Sequence, residues 1–66
     1  MEIFLNGETR QIETACHVAA LVKELGLENK RFAVEVNLEI VPRSQFESLV
    51  LSAGDKIEIV HAIGGG

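Results

Sequence analysis

Met1, Ile3 and Leu5 alternate with Glu2, Phe4 and Asn6 at the start of the chain. This period of two predicts a strand, and the Asn6-Gly7 pair that follows is a strong signal for a tight hairpin. The second arm is read over residues 9–13, with Ile12 as its main inward side chain. The period then changes. Val18, Leu21, Val22 and Leu25 fall at i, i+3, i+4 and i+7, one apolar stripe of an amphipathic helix over residues 17–25, and Gly26 stands where a left-handed C-terminal cap belongs. The helix start is poorly marked, because Thr14 is too early and His17, at the capping position, is not a favoured capping residue.

Alternation returns with Phe32, Val34 and Val36, a turn follows at Asn37-Leu38-Glu39, and Ile40-Val41 makes a short fourth strand that Pro42 ends or confines to a sheet edge. Residues 43–52 are mixed. A helical turn over residues 44–47 and an extended stretch over 49–51 are the reading there. After a turn at Gly54-Asp55, Ile57, Ile59 and His61 alternate with Glu58, Val60 and Ala62 in a last strand that leads to Ile63 and Gly64-Gly65-Gly66. The order ββαβββ predicts an α+β chain of the β-grasp, or ubiquitin-like, architecture: a mixed sheet of four to five strands with one main helix. The domain is read as residues 1–63, with 64–66 as a glycine tail. One helix covers one face of such a sheet and leaves the other to solvent. The outward residues Phe4, Val60 and Ala62 are therefore the expected partner surface, an apolar patch leading to the tail if the first and last strands are neighbours.

Composition narrows the function. The chain has 66 residues, 47% of them hydrophobic and 24% charged, with a net charge of −4. A chain this short folds around one small core and leaves little volume for a cleft. The six Lys and Arg are scattered and there is no Tyr or Trp, so a nucleic-acid footprint of clustered basic and aromatic residues is not expected. No apolar run has membrane length. The single Cys16 forms no internal disulfide, which suits a reducing compartment, and the chain starts directly in a strand-like pattern. A cytoplasmic monomer is the expectation. The side chains offer little chemistry: His17, His61 and Cys16 lack metal-ligand spacing, and Cys16 next to His17 in sequence is not how a nucleophile pair is identified. No catalytic residue, metal or bound cofactor is predicted.

The glycines remain. A lone Gly-Gly-Gly is often no more than a frayed end. Yet Gly64, Gly65 and Gly66 could thread through a narrow active site, because glycine has no Cβ and adopts backbone conformations barred to other residues. Three extended residues reach about 10 Å. ATP can convert a terminal carboxylate into an acyl-adenylate, which a sulfur nucleophile can attack to give a thiocarboxylate.

Over essentially its whole length the chain resembles the sulfur carrier proteins of thiamin (thiazole) biosynthesis, the ThiS family. The resemblance lies in the strand ending in Asn6-Gly7, in the helix with Val18-Ala19-Ala20-Leu21-Val22, and in the segments Val34-Glu35-Val36-Asn37 and Ile40-Val41-Pro42-Arg43. It continues through Gly54-Asp55-Lys56-Ile57-Glu58-Ile59-Val60-His61 to the glycine ending. His17 and Leu38 depart from the family pattern, at the helix entry and in the β-turn. The resemblance implies that Gly66 is adenylated by a ubiquitin-activating-like adenylyltransferase using ATP and Mg2+. Sulfur from cysteine, delivered through a cysteine desulfurase, would convert it to a thiocarboxylate that thiazole synthase consumes. On this reading the chain is a cosubstrate, not an enzyme. Delivery to molybdopterin synthesis, conjugation of Gly66 to lysines as a ubiquitin-like modifier, and a noncovalent interaction domain are the alternatives.

Overall fold

In a computed structural model that describes residues 1–61, five strands form one mixed sheet with a single helix on one face. Strand β1 (Glu2–Leu5) and strand β2 (Glu8–Gln11) form the antiparallel hairpin. Its turn has φ of 49° at Asn6 and 85° at Gly7, the left-handed pair that a two-residue hairpin needs and that Asn-Gly supplies at least cost. The second arm stops at Gln11, not at Glu13. The backbone N–H of Ile12 donates to the Met1 carbonyl (2.8 Å) and the Met1 ammonium to the Ile12 carbonyl (2.6 Å), and β1 extends no further to pair Glu13.

Helix α1 spans Val18–Glu24 and buries Val18, Leu21 and Val22, as the stripe predicts. His17 and Leu25 are its two caps. At the C-terminal end Gly26 has φ of 72°; its N–H donates to the Lys23 carbonyl (3.0 Å) and that of Leu27 to the Val22 carbonyl (3.1 Å). That pair of bonds is a Schellman motif, which satisfies carbonyls the helix leaves unpaired. The N-terminal end is held differently. His17 makes no side-chain cap. Instead the N–H of Val18 donates to the Leu49 carbonyl (3.1 Å) and that of Ala19 to the Phe46 carbonyl (2.8 Å). Two of the donors orphaned at a helix start are thus taken up by a segment about thirty residues away in sequence.

That segment is the one the periodicity leaves ambiguous. A 3-10 turn covers Arg43–Gln45, one residue earlier than the predicted helical turn, and Val50 pairs with His17 in an isolated bridge. Phe46 and Leu51 are buried. Leu51 donates its N–H to the Cys16 carbonyl (2.8 Å), which closes the helix entry from the other side.

Strand β3 (Phe32–Val36) and strand β4 (Glu39–Val41) form the second hairpin, and strand β5 (Lys56–His61) lies between the hairpins. The sheet order is β2-β1-β5-β3-β4, with β5 parallel to β1 and antiparallel to β3. Ile3, Val34 and Ile57 face the helix and, with Val18 and Leu21, are the largest fully buried side chains. On the same face of β2, Arg10 reaches Glu24 of the helix (2.7 Å). That pair is exposed and contributes at most about 1 kcal/mol.

The β3–β4 turn carries Asn37 at φ 51° and Leu38 at φ 73°. Leucine pays a steric cost in this region that glycine does not, and Leu38 is 84% exposed, so little packing compensates it. Leu38→Gly should therefore raise the free energy of unfolding by about 1 kcal/mol. A urea denaturation midpoint that rises with an unchanged slope would bear this out, and a fall would show that the leucine side chain has an intramolecular role.

Candidate functional site

The face of the sheet away from α1 is open. Alternation from the buried residues Ile3, Val34, Ile57 and Ile59 assigns to it Phe4 on β1, Lys56, Glu58 and Val60 on β5, Ala33 and Glu35 on β3, and Ile40 on β4. Phe4 is half-buried, Val60 is 49% exposed and Ile40 is 70% exposed. The predicted surface is thus outward at both residues the structure describes. Ala62, Gly64, Gly65 and Gly66 lie outside the described residues, as does the predicted boundary between domain and tail.

Neighbouring strands do not bring Phe4 and Val60 together. The parallel register sets Phe4 beside Lys56, so Val60 lies four residues further along β5, about 13 Å away at the rise of a strand. Glu58 projects between them. Phe4 instead lines a small hollow with Gly7, Lys56 and Glu58. Val60 stands opposite Ala33 on β3 and borders a groove of about 380 Å³ at the end of the sheet, with Arg31, Phe32, Arg43 and His61. Two separate apolar spots replace the single patch that alternation alone suggests.

Charge separates them further. Glu35 and Glu58 are directly opposed across β3 and β5, an arrangement that destabilises a sheet. Neither has an ion-pair partner among the described residues, where Arg10–Glu24 is the one salt bridge. Arg31, Arg43 and His61 lie at the end of β5 instead. Sequence reading missed these residues because it saw the basic residues as scattered; the β3–β5 pairing sets Arg31 beside His61, and stacking on Phe32 and Phe46 brings Arg43 to them. The one local hint was Arg43 in the Ile40-Val41-Pro42-Arg43 segment.

Among the described residues no three His, Cys, Asp or Glu side chains gather in a metal-binding group. Cys16 is half-buried at the helix entry, where its thiol contacts the His17 carbonyl (3.5 Å). Burial pushes the thiol above its ordinary pKa, and the nearby carboxylates of Glu24 and Glu13 add to the shift. That is the opposite of an activated nucleophile.

The sequence pattern of the ThiS family matches residues 3–66. The chain belongs to the ThiS family. It is 30% identical to the sulfur carrier protein ThiS of Escherichia coli K12, with all of both chains covered. It is 47% identical over its whole length to a thiazole synthase of Paramagnetospirillum magneticum, and 41% to one of Magnetococcus marinus. The chain spans only 20% of the length of each of these two relatives. The crystal structure of a thiamine biosynthesis protein (ThiS) from Geobacter metallireducens superposes with a TM-score of 0.84 at 28% identity, covering all of both chains. The family's β-grasp fold is therefore the fold of this chain, as its element order predicts. No helix among the described residues is long and apolar enough to cross a membrane.

The environment of Cys16 has a measurable consequence. A raised pKa leaves less thiolate at any given pH, so alkylation of the folded protein by iodoacetamide at pH 8 should be slower than that of an unstructured cysteine peptide. The half-maximal rate should move to higher pH, and denaturation in urea should abolish the difference. A folded-state rate equal to the peptide's would contradict the shielding.

Proposed function

We propose that this chain is a protein sulfur carrier for thiazole formation in thiamin biosynthesis, working through the terminal carboxylate of Gly66. The observation that carries the reading is the end-to-end match to a sulfur carrier protein of the same length class, with all of both chains covered. The similarity to two thiazole synthases supports thiazole synthase as the consumer of the sulfur. The open face bears exposed apolar and charged groups, Val60 and Ile40 among them, that another enzyme could grip.

The chemistry resides in the partners. Attack of the Gly66 carboxylate on the α-phosphate of ATP, with Mg2+ in the activating adenylyltransferase, releases pyrophosphate and gives an acyl-adenylate. The terminal sulfur of a persulfide, supplied by a cysteine desulfurase, attacks its carbonyl and expels AMP. A second thiol then attacks the desulfurase sulfur of the resulting acyl disulfide, forming a new disulfide with it and expelling the thiocarboxylate. This chain contributes a carboxylate on a glycine tail, for which Gly64 and Gly65 supply the slenderness, and an open face on which Phe4 and Val60 are two docking spots, with Ala62 two positions after Val60 in sequence.

Incubation with the adenylyltransferase, Mg-ATP and a persulfide source should exchange one oxygen for sulfur at the C-terminus, read by mass spectrometry. A residue appended after Gly66 should abolish the exchange without changing the unfolding midpoint. An unchanged mass with an enzyme that activates another carrier would sink the proposal, and adducts mapping to lysines would point to a modifier instead. Val60→Asp tests the docking face. With Val60 half in solvent it should cost less than about 1 kcal/mol of stability, yet weaken binding to the adenylyltransferase about tenfold by placing a desolvated charge at the interface. Binding that is unchanged would remove Val60 from the surface.

A further inference from the structure

The groove at the end of β5 combines apolar and cationic side chains at one corner of the sheet. It wraps the point where β3 begins and β5 finishes, with Val60 and Ala33 on the open face and Phe32 and His61 on the other. Phe32 stacks on Phe46 with ring centroids 6.1 Å apart, and the Arg43 guanidinium lies over both rings, at 4.8 Å from Phe32 and 5.9 Å from Phe46. Arg43 Nη2 donates to the Lys30 carbonyl (3.3 Å). The guanidinium is therefore held in place before any partner arrives, with four of its five N–H donors making no hydrogen bond among the described residues. Glu28 and Glu47 share a neighbouring depression with Arg43 on the helix side, yet neither comes within ion-pair distance of it. Arg31 is exposed beside it.

We infer that this groove receives an acidic side chain, next to an apolar one, from the protein that takes up the C-terminal tail. The chemistry of the lining selects that occupant. A fixed guanidinium with a second arginine beside it suits a carboxylate, which it can meet in a forked pair. Val60 and Ala33 require an apolar neighbour that a free phosphate would not supply. A nucleic acid or other extended polyanion would meet Glu35 and Glu58, which lie next along the same strands. The position fits the occupant too, because residues 62–66 continue from His61, which lines the groove. Any enzyme that draws the tail into its active site must come close to this corner. A carboxylate bound here would fix the direction in which the tail leaves the sheet, and steering between opposite charges would speed the encounter.

The inference rests on the carrier reading, and the test separates the two. The Arg31 side chain makes no hydrogen bond or ion pair among the described residues, so Arg31→Glu should leave the unfolding midpoint unchanged. Its dissociation constant for the activating adenylyltransferase, measured by calorimetry at low ionic strength, should rise at least tenfold. The salt dependence of binding should flatten in the same variant. Arg43→Lys, which keeps the charge but loses the planar fork, should weaken binding by a smaller factor of about three. Wild-type affinity in Arg31→Glu, together with wild-type thiocarboxylate formation, would overturn the groove proposal and leave the carrier function standing. Binding that weakens in Arg31→Glu while even the wild-type chain acquires no sulfur would support the groove and remove the carrier function.

Discussion

Two hairpin units become one sheet through a short parallel seam between β1 and β5. The N–H of Phe4 donates to the Asp55 carbonyl (2.9 Å), that of Asn6 to the Ile57 carbonyl (2.8 Å), and that of Gly54 to the Glu2 carbonyl (2.8 Å). Strand β1 ends before the seam is complete. The Asn6 side chain continues it, its Oδ1 accepting the N–H of Ile59 at 2.8 Å across 53 residues of sequence. One residue thus turns the first hairpin with a left-handed backbone and completes the pairing of the last strand with its amide. Ile3 and Ile57, the fully buried residues on either side of the seam, meet the helix only because these bonds hold their strands together.

The seam also decides what the open face looks like. A parallel neighbour sets Phe4 near the start of β5 and leaves Val60 near its end, so the face has two apolar spots with Glu58 between them. The antiparallel pairing with β3 opposes Glu58 to Glu35 and brings Arg31 to the corner that His61 occupies. An acidic middle and a cationic end are a pattern to which a partner can be complementary. The opposed glutamates cost stability in the isolated domain, while the cation over Phe32 and Phe46 is organised by packing that the fold needs in any case.

A second cross-link lies in the open at the start of β5. Asn37 and Asp55 tie the β3–β4 turn to the start of β5: Asn37 Nδ2 donates to Asp55 Oδ1 (3.1 Å), and the N–H of Lys56 donates to Asn37 Oδ1 (3.0 Å). Asp55 Oδ2 accepts the N–H of Ser52 (2.7 Å), which shapes the turn at Gly54. The asparagines that begin the two hairpin turns, Asn6 and Asn37, therefore both reach across to β5. Their side chains can do so because a short amide on a left-handed residue projects toward the neighbouring strand.

Period-two and period-3.6 patterning determined the strands, the helix and the inward set, because those depend on neighbours a few residues apart. Asn6-Gly7 and Gly26 marked a turn and a cap for the same local reason. The whole-length resemblance made the family legible as well. The turn and extended stretch within residues 43–51 were legible to about one residue, but their task was not: the carbonyls of Phe46 and Leu49 serve a helix that His17 fails to cap, and no local pattern records a need about thirty residues earlier. The corner of Arg31, Arg43 and His61 was hidden for a related reason, since side chains distant in sequence become one groove only through the pairing of β3 with β5 and the stacking of Arg43 on Phe32 and Phe46. Sequence alone determined which residues turn inward, and the tertiary structure decided which outward residues meet, because alternation assigns a face whereas register assigns a neighbour.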